Sequence, residues 1–288
     1  MNRVETQEKP IPKSAEHRLA DLLSDTSSPE TKAGTARWYV EMFIDTFLSS
    51  DIKEKIGIAQ FRKLSLGEMI QSIGESFGAE MRSSLLLIKN FGDRASHYNP
   101  SSFISHEDAE KVVSTAIDLF ALALIHELKT NPLNSASSRA TIFSTIFPSV
   151  RERVLRDLMV LSDPLDEYNA ALLHKYCLAC TKNGNVNKAR RKLDELRKKN
   201  FIDEARYYFE VESIRKIQAA MQLDMLPIPK RMEDCARNFE AVVGDLSAEE
   251  AFENSRLIEL IQKLLDQVSS SDMLHYAGGQ VYAIENQG

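Results

Sequence analysis

Hydrophobic side chains recur at the three- to four-residue spacing of a helix along most of this chain. Ser28-Pro29-Glu30 and the capping-box sequence Ser65-Leu66-Gly67-Glu68 each supply the start of a helix. In the first half the pattern predicts helices over about 29–49, 65–78, 79–91 and 105–129. No stretch of any length alternates with the two-residue period of a strand. We therefore expect an all-α fold.

The predicted helices fall into two groups, separated by a short polar link at about 133–138. The first group is an N-terminal helical bundle over 29–132, preceded by a flexible arm over 1–28. The second is a C-terminal array of helical hairpins over 139–268, followed by a tail over 269–288. Its helices are expected at about 139–146, 149–161, 164–182, 186–199, 203–224, 230–243 and 248–268. The chain therefore reads as a two-part helical protein.

Residues 170–203 resemble a single tetratricopeptide-type helix hairpin. Asn183-Gly184-Asn185 supplies the turn, and one copy of the repeat is convincing. The packing positions of that repeat are occupied by Leu173, Tyr176, Cys177, Cys180, Ala189 and Leu193. Any helical hairpin with a glycine turn can show the same pattern. The resemblance implies stacked helix pairs that offer a protein-binding surface.

The stretch Ala79–Asn99 combines an apolar helix with a polar, turn-forming segment. That segment carries the densest group of chemically active side chains in the chain: Lys89, Asn90, Asp93, Arg94, His97 and Tyr98. It is the first candidate for a functional site. A structural role explains the same residues equally well, because charged side chains and histidines also cap free backbone groups where a helix ends.

The sequence Lys89-Asn90-Phe91-Gly92-Asp93-Arg94-Ala95-Ser96-His97 resembles a motif of bacterial helical domains of the HEPN type. One branch of that family is common beside restriction and phage-defence genes. The family motif has arginine where this chain has Lys89, and asparagine where it has Asp93. Lysine keeps the positive charge but lacks the planar fork of arginine. The resemblance covers about 100 residues of the chain.

In catalytic HEPN ribonucleases an arginine and a histidine converge across a homodimer cleft and cut RNA without a metal. The resemblance therefore implies that His97 would be the general acid or base, and that Lys89 or Arg94 would hold phosphate. Asn90, Asp93 and Tyr98 would support them. The enzyme would need a homodimer formed through the N-terminal bundle.

Charge and cysteine content limit the partners and the compartment. The net charge is −6 and the pI is about 5.6, so no general attraction to RNA or to an acidic membrane surface is expected. Three cysteines do not make a disulfide framework, which favours the cytoplasm. No apolar run approaches the roughly 18 residues of a membrane span. We expect a soluble cytoplasmic protein.

The sequence His174-x-x-Cys177-x-x-Cys180 raises the question of a zinc site, for which Cys235 is the only further cysteine. Zinc sites normally use loops or knuckles rather than mid-helix positions. Buried cysteines that pack as small hydrophobic residues explain the pattern better. We expect neither a metal nor a cofactor.

These observations favour a non-enzymatic interaction or regulatory protein that binds a protein partner through its C-terminal hairpins. The resemblance places it in bacterial phage defence. The alternative is a metal-independent HEPN-type ribonuclease or RNA-binding toxin that uses His97 with Lys89 or Arg94.

Overall fold

A computed structural model describes residues 8–96, 103–265, 275–277 and 280–282 of the chain. The fold is all-α, as the sequence predicts. The chain divides into two compact units, one built mainly on Lys9–His126 and the other mainly on Glu127–Ile261. None of the described helices is both long enough and apolar enough to cross a membrane.

The described residues of the first unit form six α-helices and two short irregular helices. A 3-10 turn at Lys13–Ala15 precedes α1, and a π-helical turn at Ile44–Leu48 follows α2. The α-helices are α1 (Glu16–Leu23), α2 (Pro29–Phe43), α3 (Ser50–Ile56), α4 (Ile58–Phe61), α5 (Leu66–Ser96) and α6 (His106–Thr130). The last turn of α6, from Glu127 onward, belongs to the second unit. The backbone of Ser28 is extended, and its side chain accepts a hydrogen bond from the Thr31 amide at 3.1 Å, which fixes the start of α2.

Aromatic side chains form the centre of the first unit. Tyr39 and Phe43 of α2 and Phe47 of the π-helical turn are buried, and the Phe43 and Phe47 rings stack with centroids 4.7 Å apart. Phe120 of α6 meets Phe47 edge to face at 5.9 Å. Burial of these rings against one another fixes α2 and α6 in the core.

Residues 9–28 differ from the flexible arm that the sequence predicts. Ile11, Ala15 and Leu22 are buried, so this segment packs on the rest of the unit. The guanidinium of Arg18 lies 4.6 Å from the centre of the Trp38 ring. The few apolar residues of this segment are widely spaced in sequence, and the fold packs α1 on α2.

Helix α5 consists of two segments that meet at Gly78. The backbone of Gly78 has φ +81° and ψ 170°, which interrupts the helix. A side chain atom placed on Gly67 would lie 3.5 Å from Cε of Lys89, so the two segments fold back beside each other. The predicted capping box starts the first segment, where the Ser65 amide donates to Glu68 at 2.7 Å.

The second unit contains the remaining helices. They are α7 (Arg139–Ser144), α8 (Pro148–Leu158), α9 (Glu167–Lys182), α10 (Val186–Lys198), α11 (Glu204–Gln222), α12 (Met232–Gly244), α13 (Ala248–Glu253) and α14 (Ser255–Leu265). In the tail, β1 (His275–Ala277) and β2 (Gln280–Tyr282) pair antiparallel. The sequence predicts one helix over 248–268, whereas in the structure Asn254 separates α13 from α14.

Helices α9 and α10 form the predicted hairpin, with Gly184 at φ +77° in the turn. The buried carboxylate of Glu152 on α8 accepts hydrogen bonds at 2.8 Å from the side-chain amides of Asn183 and Asn185. Lys188 also contacts Glu152. A buried acid from the neighbouring helix therefore holds the turn in place.

Candidate functional site

The polar segment is helical further than the sequence predicts. Helix α5 continues to Ser96, so Lys89, Asn90, Asp93 and Arg94 lie on a helix and not in a turn. The reason is tertiary packing, because Phe91 and Ala95 pack against a buried cluster of Ala33, Ile104 and Ala109. His97 and Tyr98 lie outside the described residues.

Asp93 joins two cations from two helices. Its Oδ2 atom lies 2.6 Å from Nζ of Lys89, and its Oδ1 atom lies 3.0 Å from Nε of Arg37 on α2. Arg37 also pairs with Glu41 at 3.4 Å. The positive charges of Lys89 and Arg37 are thus balanced by carboxylates, which weakens their attraction for a phosphate.

Sequence reasoning missed Arg37, which is the partner that α2 contributes to this cluster. A cation four residues from an acid on one helix is visible in sequence, as with Lys89 and Asp93. The contact between Arg37 and Asp93 joins positions 56 residues apart, and only the fold brings them together. The one available signal was the position of Arg37 directly before the aromatic pair Trp38-Tyr39.

Gly92 allows the two helices to approach closely at this point. A Cβ atom on Gly92 would lie 2.3 Å from Cβ of Arg37, a distance that side-chain carbons do not reach. The glycine of the motif therefore serves the packing of α2 against α5.

Arg94 and Asn90 face outward. The Nη2 atom of Arg94 donates to the backbone carbonyl of Phe103 at 2.5 Å, and its guanidinium lies 4.9 Å from the Phe91 ring centre. Asn90 is exposed. Arg94 thus connects the end of α5 to the start of the segment before α6. The arrangement brings Lys89 and Asp93 together but leaves Arg94 with a separate partner.

In the structure His174 pairs with an acid, and the cysteines of the possible zinc motif are buried thiols. Nδ1 of His174 lies 2.8 Å from the buried carboxylate of Glu210. Cys177 and Cys180 are buried; burial raises the pKa of the Cys180 thiol to about 12 and that of Cys177 well above its ordinary value. Burial likewise raises the pKa of Cys235 to about 12.

Metal-ligating side chains do not gather elsewhere in the described part of the chain. No group of three or more histidine, cysteine, aspartate or glutamate side chains there has a spacing that would hold an ion.

A second cluster, not singled out by its sequence, surrounds Glu210 on α11. The carboxylate is fully buried and pairs with Nε of Arg206 at 2.8 Å as well as with His174. Nη2 of Arg206 donates to the carbonyl of Ala170 at 2.5 Å. The ring of Phe209 packs on both side chains, with its centre 5.4 Å from the His174 ring and 5.4 Å from the Arg206 guanidinium. We call His174, Arg206, Tyr208, Phe209 and Glu210 the α11 patch.

Comparisons with protein-family models, curated proteins and solved structures find no match to this chain. The HEPN-type and tetratricopeptide-type resemblances therefore stay predictions from the residues quoted above.

Proposed function

We propose that this protein is a non-enzymatic interaction or regulatory protein that binds a protein partner through its C-terminal helical hairpins. The observation that supports this best is the α11 patch, where Tyr208 and Phe209 are 63% and 54% exposed. Exposed aromatic rings next to an arginine are the side chains that carry most binding energy at protein interfaces.

The α11 patch is ordered before any partner binds. The buried carboxylate of Glu210 pairs with Arg206 and His174, and the Phe209 ring packs on both of these side chains. Binding then costs little side-chain entropy, because these rotamers are already restricted. The patch is therefore suited to contact apolar side chains of a partner.

Helix α11 leaves room for such a partner. Of its 19 residues only Glu210 and Ile214 are buried, although α9 and α10 pack against it. In a stacked helical array a helix with so little burial is one on which a further element can pack. A role in bacterial phage defence belongs to the same proposal and rests on the HEPN-type resemblance.

The ribonuclease alternative receives less support from the described residues. Lys89 shares the carboxylate of Asp93 with Arg37, and Arg94 binds a backbone carbonyl. A phosphate would have to displace these partners before either cation could hold it. The two cations that the resemblance would use to hold phosphate, Lys89 and Arg94, therefore already have structural partners.

The test compares Phe209→Ala with Phe252→Ala, a matched control on α13 whose ring is 82% exposed. Partners are captured from cells of the source organism by cross-linking, identified, purified and titrated against each variant. We expect Phe209→Ala to raise the dissociation constant by about tenfold or more, and Phe252→Ala to leave it unchanged. Equal affinity of Phe209→Ala and the unaltered protein would reject the α11 patch as the binding surface.

A parallel assay addresses the enzyme. The purified protein and His97→Ala are incubated with structured and single-stranded RNA in chelator, after sizing shows that both are folded. Cleavage that the unaltered protein performs and His97→Ala does not would favour the ribonuclease over the proposal made here.

A further inference from the structure

A cavity of about 300 Å³ lies within the second unit, between the end of α7, α8, the end of α9, α12 and the loop before it. Leu226, Ile228 and Val242 supply its apolar wall, and Arg151, Lys182 and Asn238 supply its nitrogen atoms. Its volume lies at the lower end of the range for small-molecule sites. An apolar wall with a few polar groups is also the usual lining of such sites.

The two cations of this cavity have no acidic partner among the described residues. Arg151 is only 8% exposed, and its Nε atom has no hydrogen-bond partner in that part of the chain. Burial lowers the pKa of Arg151 to about 10. Burial, and after it the charge of Arg151, lowers the pKa of Lys182. Buried charges are normally paired, so two neighbouring cations without an acid are unusual.

Two acids close in sequence to residues that line the cavity are engaged elsewhere. Glu152, the residue after Arg151, accepts hydrogen bonds from Asn183, Asn185 and Lys188 at the α9–α10 turn. Asp234 on α12 accepts from the amides of Lys230 and Arg231. Neither carboxylate lines the cavity.

The hydroxyl groups at the edge of the cavity do not supply further donors. Thr145 donates its hydroxyl hydrogen to the carbonyl of Ile142 at 2.8 Å, and Ser144 donates to that of Thr141 at 2.7 Å. The groups that can donate into the cavity are therefore Arg151, Lys182 and the amide of Asn238.

We propose that this cavity binds a small molecule that carries a phosphate monoester on an apolar body. A phosphate monoester has a second pKa of about 6 and is mostly a dianion at neutral pH. Its two negative charges match Arg151 and Lys182, and its oxygens accept from their N–H groups and from Asn238. The apolar body packs on Leu226, Ile228 and Val242. The proposal is independent of the binding role proposed for α11.

Isothermal titration of the full chain with phenyl phosphate at pH 7.5 tests this site. We expect saturable binding of one molecule per chain, and weaker binding of inorganic sulfate, which lacks the apolar body, and of benzoate, which carries one charge. Lys182→Met and Arg151→Met should each raise the dissociation constant for phenyl phosphate by about tenfold or more. Lys175→Met, on the same helix but outside the cavity, should not change it.

Because Arg151 is buried, the folding of Arg151→Met is checked by circular dichroism. Lys182 is only half-buried, so Lys182→Met tests the proposal even if Arg151→Met does not fold. The absence of saturable binding of phenyl phosphate to the unaltered protein would overturn the proposal. Unchanged affinity in Lys182→Met would also overturn it, since Lys182 would then not contact the ligand. So would sulfate and benzoate binding as tightly as phenyl phosphate, since that result would indicate general charge attraction.

Discussion

Gly92 and Asp93, neighbours on α5, act on the same side chain of α2. The missing Cβ of Gly92 makes space for the stem of Arg37, and Asp93 pairs with its guanidinium at 3.0 Å. The two residues therefore position one arginine, which explains why glycine and an acid occur together in a helix that continues past both. At the residue scale, packing and charge pairing account for Gly92 and Asp93 of the motif.

Gly92→Ala should destabilise the protein. The added Cβ would lie 2.3 Å from Cβ of Arg37, and since that atom is fixed to the backbone, α2 must move. We expect the free energy of unfolding to fall by about 1–3 kcal/mol in urea denaturation, as in other overpacked sites.

Gly34→Ala is the control for this prediction. Gly34 lies inside α2, where an added Cβ meets nothing within 4 Å, so the substitution should stabilise the helix by about 0.5–1 kcal/mol. A loss of stability in Gly34→Ala as large as that in Gly92→Ala would contradict the steric explanation.

At the scale of elements, local signals predicted most of the helices. The hairpin of α9 and α10 followed from periodicity and the Asn183-Gly184-Asn185 turn, and both helices lie within two or three residues of their predicted bounds. The predicted helix bounds are wrong where contacts between residues far apart in sequence determine where a helix ends. The burial of Phe91 and Ala95 prolongs α5, and nothing in its local sequence indicates this.

The break between α13 and α14 has a similar cause. Asn254 is buried, and its side-chain amide donates to the carbonyl of Ser137 at 2.8 Å and to that of Glu250 at 2.7 Å. The predicted helix over 248–268 is interrupted because this amide binds a loop more than a hundred residues away. For the candidate site the pair of Lys89 and Asp93 was readable from sequence, whereas the partner on α2 was not.

Glu250 should make stability depend on acid pH. Hydrogen bonds from Ser138, the Ser247 amide and Ser137 lower its pKa from 4.5 to about 2. Because the folded state favours the carboxylate, the contribution is fully present above pH 4.5 and is lost as the pH falls toward about 2. The stability difference between the unaltered protein and Glu250→Gln should therefore shrink over that interval.

Urea denaturation at several pH values between 7 and 2.5 measures this difference. Glu249→Gln changes an exposed acid on the same turn and should show no such convergence with the unaltered protein. A constant gap between Glu250→Gln and the unaltered protein across the interval would mean that the serine hydrogen bonds do not favour the charged form.

At the scale of the molecule the two units are stabilised differently. Both units bury aromatic rings, whereas the buried charged groups of the described residues lie mainly in the second, as with Arg139, Glu127, Glu152 and Glu210. Arg139 pairs with Glu127 at 3.2 Å and also donates to the carbonyl of Glu253 at 2.6 Å. Buried pairs of this kind stabilise a fold weakly when complete but cost much when one partner is removed. The second unit should therefore be the more sensitive to single charge deletions.

Glu210→Ala tests that sensitivity, since it leaves Arg206 and His174 on α11 and α9 without their acid. We expect the free energy of unfolding to fall by about 3 kcal/mol, because both partners are about a third exposed and can recover part of their hydration. Glu212→Ala removes an exposed acid of the same helix, paired at 3.4 Å with Arg215, and should cost about 0.5 kcal/mol or less. Hydrogen exchange should show faster opening of α9–α11 in Glu210→Ala alone. Equal losses in the two variants would show that α11 gains nothing from burying its acid, and the rigid α11 patch would lose its physical basis.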